Sequence, residues 1–248
     1  MKIDANELSH LAAASADAGP PRMDMYSPIH KALRALMADT LLAVGRMDTD
    51  DAVEVAAVAH RVLELMDFCR SHLAHENAFV HAAIEARAPG GSARIAHEHE
   101  EHLRATADIA EAATALMATA GPVCAQAALA LYRVLSQFVA DNFHHMLVEE
   151  TAHNAVLWSR YTDAELLDIH NALVASVPPD EMMVVLRWMV PFMNPAERLA
   201  MLSDLQAHAP APAFQAALDT VRPHLTEREW AKLARGLGLA AVPGLVAA

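Results

Sequence analysis

Cysteine, glycine, aromatic residues and positive charge are all scarce in this chain of 248 residues. Its two cysteines, Cys69 and Cys124, are too few for a disulfide framework or a thiolate zinc site, so we expect both to be small core residues. Eight glycines and an aromatic fraction of 5%, in a chain dominated by Ala, Leu, Val and Met, favour helices over strands. The sequence therefore predicts an almost wholly helical, all-α protein.

A basic surface and a long uncharged apolar run are also missing. The formal net charge of −13 argues against nucleic acid or an anionic membrane as partner, because either needs a basic stripe. No run of 18 or more apolar residues is free of charge, so we expect no membrane span. Asp4 and Glu7 stand where a signal peptide needs an apolar segment, and we expect a cytoplasmic protein.

Helix start and stop signals divide the chain into three parts. Residues 1–25 are typical of a flexible arm, because small and polar residues lead up to Gly19-Pro20-Pro21. Four long helical patterns follow, at about 28–46, 51–87, 93–120 and 122–160. The expected caps of the first three are Ser27, Asp48-Thr49-Asp50 and Ser92. Their short connections predict an up-down-up-down four-helix bundle over residues 26–161. Repeated capping signals predict a smaller helical extension over residues 162–248.

One pattern occurs twice, a histidine followed four residues later by a glutamate. The first copy is His72 with Glu76, and the second is His145 with Glu149. Side chains four apart on a helix lie on one face, with Cβ atoms about 5–6 Å apart, so each pair can reach one ion. Two such helices indicate a two-metal site inside the bundle.

Three further histidines are candidates for the same site. His30 lies near the start of the first helix, and His99 and His102 lie early in the third. In an antiparallel bundle these positions share one level with the late parts of helices two and four. His99 and His102 are three residues apart and share a face, so either or both are candidate ligands. The alternative is a buried hydrogen-bond network of the same seven residues without metal.

The other histidines of this region are expected outside the ligand set. His75 and His144 flank the inward faces. His81 lies about 180° round its helix from His72 and is expected to be solvated. His97 is expected to point away from the site, and His153 to have an ordinary surface or core role. On the fourth helix, Ala152 is expected to follow Glu149 on the inward face.

With these residues in place, the chain resembles the hemerythrin-like family of HHE cation-binding domains over about residues 26–160. The family order is a helix-one histidine, a helix-two His-x-x-x-Glu, a helix-three histidine and a helix-four His-x-x-x-Glu. The matching residues are His30, His72 with Glu76, His99 or His102, and His145 with Glu149. The resemblance implies a non-haem di-iron centre, oxo- or hydroxo-bridged, with terminal histidines and both glutamates bridging. Mixed imidazole and carboxylate ligands suit Zn or Mn as well as Fe.

The chain departs from the oxygen-carrying members of that family in two ways. Its helix-three histidines are three apart instead of four, and Glu149 stands where those members have an aspartate. Both departures favour a bacterial protein that senses or binds O2, NO or peroxide, or that handles iron in a stress response.

Two other functions remain open at this point. The first is a di-iron oxidase or peroxidase in which Tyr26 or Tyr132 relays electrons. The second is a metal-stapled interaction module whose C-terminal helices bind a protein partner or a second copy of the chain. A binding or sensing protein is preferred to an enzyme.

Overall fold

The computed structural model describes residues 22–240, and all regular structure in that range is helical. The first elements are α1 (Ser27–Arg46), α2 (Ala52–His75), the π-helical segment π1 (Glu76–His81), α3 (Ala82–Arg87) and α4 (Ala93–Leu116). They are followed by α5 (Gly121–Val148), the π-helical segment π2 (Glu149–His153), α6 (Asn154–Arg160) and α7 (Asp163–Ser176). The all-α prediction is confirmed, whereas the up-down-up-down order stays a prediction. Most of the predicted arm, residues 1–21, lies outside the described residues.

The helices begin close to where the sequence predicted, but three of the predicted caps are wrong. Asp51 caps α2 in place of Asp48-Thr49-Asp50, and neither Ser27 nor Ser92 caps its helix. The hydroxyl group of Ser92 does not cap α4, because it donates to the carboxylate of Glu85 at 2.7 Å. That carboxylate also accepts from the backbone N–H groups of Gly90 and Ser92, at 2.7 and 2.9 Å. These hydrogen bonds lower the pKa of Glu85 to about 2. A side chain seven residues upstream therefore closes the turn before α4.

The start of α1 is likewise fixed from upstream. The carboxylate of Asp24 accepts from the backbone N–H groups of Tyr26 and Ser27, at 2.9 and 3.0 Å, and from the Ser27 hydroxyl group. Asp24 also accepts from the side-chain amide of Asn154 at 2.8 Å. Ser27 is therefore not the predicted N-cap. The network holds Tyr26 against the start of α6, where its side chain is fully buried.

The chain forms two compact units, of which the first contains the described residues 22–27 and 37–176. One buried apolar cluster of this unit joins the segment before α1 to α3, α6 and α7. Its buried members are Met25, Tyr26, Val80, Ala83, Ile84, Leu157 and Leu166. Both cysteines are free thiols buried in this unit, which confirms their predicted core role.

The continuous helix from Gly121 to Arg160 is long and apolar enough, by composition alone, to cross a membrane. The core helix of a soluble protein meets the same test. Of its ionisable residues, His145, Glu149 and His153 are buried inside the protein, whereas Arg133, Asp141 and Arg160 are exposed. The predicted absence of a membrane partner stays a prediction.

The second unit contains residues 28–36 and 177–240. Its helices are α8 (Pro179–Met189), α9 (Pro195–His208), α10 (Ala211–Val221) and α11 (Glu227–Gly236). The predicted capping boxes that begin at Asn194 and Thr226 are both formed. Leucines, Phe214, valines and Ala217 make its buried core. A protein partner or homodimer bound by these helices stays a prediction.

Arg198 holds the turn after α8 in this unit. Its side chain is 3% exposed and donates to the backbone oxygens of Val190, Pro191 and Met193, at 3.0, 2.9 and 3.1 Å. We expect Arg198→Ala to lower the free energy of unfolding by about 2–4 kcal/mol, because buried carbonyl groups lose their donor. Chemical denaturation of the full chain measures this, with the exposed Arg228→Ala as control. Equal midpoints for the two variants would contradict the expectation.

Candidate metal centre

Four buried side chains from three separate stretches of the chain come together in the first unit. They are Glu76, His99, His145 and Glu149, and each offers one donor atom within 4.8 Å of the others. Glu76 begins π1 and Glu149 begins π2, while His99 lies on α4 and His145 on the last turn of α5. The structure therefore gathers both glutamates of the repeated pattern with one histidine of that pattern and one from α4.

The two imidazole rings are oriented by partners outside the cluster. His99 Nδ1 lies 2.8 Å from Asn77 Oδ1, and His145 Nδ1 lies 2.9 Å from Glu98 Oε2. Because amide and carboxylate oxygens accept, each ring donates through Nδ1 and carries its lone pair on Nε2. The two Nε2 atoms are 3.1 Å apart. Two lone pairs at that distance repel each other unless a cation or a shared proton lies between them.

The carboxylates complete the same small volume. Glu149 Oε1 lies 3.4 Å from the Nε2 atoms of both His99 and His145. Glu76 Oε2 lies 3.5 Å from His99 Nε2, and its Oε1 lies 3.1 Å from His72 Nε2. Burying two carboxylates together costs several kcal/mol without nearby positive charge. The cluster is thus an anionic, imidazole-lined space suited to a cation.

The electrostatics of the cluster follow from this crowding. Burial and the charge of Glu76 oppose ionisation of Glu149, but the bonds from His145 and His99 outweigh them and lower its pKa. Burial opposes the charged form of His145, yet its bonds to Glu149 and Glu98 raise its pKa. Both shifts favour ionised carboxylates beside positive charge, which a proton on His145 or a bound cation can supply.

Both copies of the repeated pattern change from α to π geometry at their glutamate. At the end of the α-helical part, the Glu76 N–H donates to the carbonyl groups of His72 and Leu73, four and three residues back. The Glu149 N–H does the same with those of His145 and Met146. A π turn is closed by an i→i+5 hydrogen bond, so it holds an extra residue and turns the following side chains round the axis. Such turns occur frequently at functional sites.

This geometry overturns two predictions and adds two residues to the site. His81, expected to be solvated, is 5% exposed, and its ring stacks on that of His99 with centroids 4.7 Å apart. Ala152, expected inward, is exposed, and its neighbour His153 is buried. The extra residue in each π turn causes both errors. The sequence holds a signal that could have identified both residues. His81 is the first histidine after Glu76, five residues on, and His153 is the first after Glu149, four residues on.

His81 and His153 are neutral in this environment. Burial lowers the pKa of His81 to about 4, and the neighbouring His99 adds to the effect. Burial also lowers the pKa of His153. Neutral imidazole is the form that binds metal ions.

The remaining predicted ligands have different surroundings. The His102 ring packs edge-on against that of His145, with centroids 4.7 Å apart, and lies outside the gathered set of histidines and glutamates. His30 is fully buried on α1, within the nine residues assigned to the second unit. The predicted ligand role of His30 stays a prediction, as do those of His72, His99 and His102.

The positions of His97, Tyr26 and Tyr132 bear on three other expectations. His97 is exposed on α4, as predicted. Tyr26 Oη lies 3.1 Å from His153 Nδ1, so this tyrosine adjoins the site. Tyr132 is 37% exposed on α5. Of the two candidate redox tyrosines, Tyr26 is the one that contacts His153, among residues 22–240.

The donor atoms present fit a first-row transition ion. Imidazole nitrogens and carboxylate oxygens are the ligands of Fe, Zn and Mn sites in proteins. The Nδ1 bonds to Asn77 and Glu98 are the outer contacts that such ligands carry. Neither cysteine belongs to the gathered groups among residues 22–240. Burial also raises the pKa of the Cys69 thiol to about 12.

Comparison with known families gives an independent result. The family model for the hemerythrin HHE cation binding domain matches residues 24–153 of the chain, more than half of its length. The matched region contains all four residues of the cluster, both π segments and both added histidines. Neither the curated proteins nor the solved structures give a significant match.

Proposed function

Because the chain belongs to the hemerythrin HHE cation-binding domain family, we propose that it is a non-haem di-iron protein that binds O2, NO or peroxide. The observation that carries the proposal is the pair of Nε2 atoms 3.1 Å apart, with both Nδ1 atoms already bonded elsewhere. A cation beside Glu76 and Glu149 satisfies both lone pairs and both buried carboxylates at once.

The proposal divides the ligands between two ions. His99 and His145 would hold one ion, and His72 the other. His30 keeps the ligand role that the sequence predicts. Glu76 contacts His72 on one side and His99 on the other, which suits a bridging role. Glu149 is the second proposed bridge. His102 remains a candidate ligand beside His145.

The ligand set favours binding over vigorous oxidation. Bound iron(II) would supply a redox-active coordination position for a small ligand. A set rich in imidazole stabilises Fe(II) relative to Fe(III), compared with the carboxylate-rich ferritin-like sites. The chain itself holds the protons on the two Nδ1 atoms through Asn77 and Glu98, and it buries the cluster from water.

The proposed function is tested by loading the full chain with Fe(II) under anaerobic conditions and titrating it with NO and then O2. We expect a stoichiometric change in the visible and near-ultraviolet absorption of the wild type and of His97→Ala. The same titration of His99→Ala is expected to give no change. An absorption spectrum of the iron-loaded wild type that does not respond to either ligand would contradict the proposal.

The same samples separate the two competing functions. Many turnovers of peroxide with an added reductant would favour a peroxidase, for which the contact of Tyr26 with His153 is the supporting observation. Unfolding on metal removal without any ligand response would favour a metal-stapled interaction module.

A further inference from the structure

A second group of buried donors adjoins the four-residue cluster. His81, Glu149 and His153 each offer one donor atom, and these atoms lie within 4.8 Å of one another. All three side chains are buried, at exposures of 5%, 0% and 3%. Neither histidine belongs to the pattern that the family resemblance carries. Two imidazoles to which the proposed di-iron centre gives no role thus converge on Glu149.

The two π segments create this group. Each begins at a glutamate and ends at a histidine, Glu76 to His81 in π1 and Glu149 to His153 in π2. In a regular α-helix a residue five positions on lies about 140° round the axis, away from the first. The i→i+5 turn of π1 instead brings His81 to the face of Glu76. His153 lies four positions after Glu149 and shares the face of that glutamate. The His81 and His153 rings consequently meet edge to face, with centroids 5.3 Å apart.

The ring nitrogens of this group are available to a cation. His81 Nε2 is buried and has no hydrogen-bond partner among residues 22–240. The Tyr26 oxygen, 3.1 Å from His153 Nδ1, can accept from that nitrogen and so place the lone pair on Nε2. A hydrogen bond of this kind orients the ligating histidines of metal sites.

We propose that His81, Glu149 and His153 form an additional binding position for a divalent transition ion, beside the di-iron centre, with Tyr26 orienting His153. Two histidines and one carboxylate are a donor set used for both Fe(II) and Zn(II). This proposal rests on the proposed function because Glu149 would serve both the di-iron centre and the additional position. Glu149 has two oxygens, and Oε1 faces His99 and His145.

Co(II) is the probe for this position, because its visible absorption reports the ligands. The full chain is dialysed against Co(II), and bound metal per chain is measured together with the absorption spectrum. We expect His81→Ala/His153→Ala to bind one Co(II) fewer per chain than the wild type and to keep the remaining ions. A control with two exposed histidines replaced, His60→Ala/His97→Ala, is expected to bind the wild-type number.

Tyr26→Phe provides a second variant that keeps the size and shape of the buried ring. We expect it to weaken the affinity of one Co(II) by about 10–100-fold and to leave the others unchanged. Equal Co(II) content in the wild type and the double variant would overturn the proposal. Should the double variant not fold, unchanged affinities in Tyr26→Phe would overturn it. A wild type that binds no Co(II) or Fe(II) would overturn the proposed function as well, so the two failures are distinguishable.

Discussion

His145→Ala is expected to weaken binding of the tighter metal ion by more than about 100-fold. Loss of an outer contact alone costs a metal site about 10–100-fold in affinity, and this substitution removes a ligand itself. It also removes the imidazole that lies 3.4 Å from the buried carboxylate of Glu149. Competition for Co(II) or Zn(II) with a chromogenic chelator measures the affinity.

A graded series gives this prediction its controls. Glu98→Ala removes the carboxylate that holds His145 Nδ1 and is expected to cost about 10–100-fold, less than loss of the ring. His97→Ala, an exposed position one residue before Glu98, is expected to have no effect. Equal affinities across all three variants would refute the assignment of His145 as a ligand.

Saturation with metal is expected to raise the midpoint of thermal unfolding by about 5–10 °C. A ligand at 100 times its Kd stabilises the folded state by about 2.7 kcal/mol, and each kcal/mol shifts Tm by about 2–4 °C in a chain of this size. The shift should disappear on chelation. Differential scanning calorimetry of the loaded and chelated protein measures it.

The matched variant for that prediction is Glu149→Gln. The amide keeps the shape of the buried side chain but removes the charge that serves both metal groups. The metal-dependent shift should therefore fall to less than half of its wild-type value, and that of the exposed Glu111→Gln should be unchanged. A full shift in Glu149→Gln would refute the role of this carboxylate.

The sequence predicted the helices and the centre of the site for definite physical reasons. The His-x-x-x-Glu pairs place both carboxylates on inward faces through helical periodicity alone. The common level of the predicted bundle then brings His99 to Glu76, which the structure confirms at 3.5 Å. Periodicity and connection length are properties of single segments, so they can be read before any contact is known.

The parts that were missed depend on contacts between distant segments. A π turn leaves no mark in hydrophobic periodicity, so the burial of His81 and the position of His153 beside Glu149 were not predicted. Asn77 and Glu98 hold the rings of His99 and His145 from separate helices, 22 and 47 residues away along the chain. Ser92 was predicted as a cap because serine commonly caps helices, but Glu85 competes for its hydroxyl group.

The metal content of the full-length protein tests the central claim most directly. The protein is loaded anaerobically with Fe(II), desalted, and assayed for iron per chain beside His99→Ala/His145→Ala. The account predicts at least two irons per chain in the wild type and a loss of at least one in the double variant. Fewer than one iron per wild-type chain after reconstitution would contradict it.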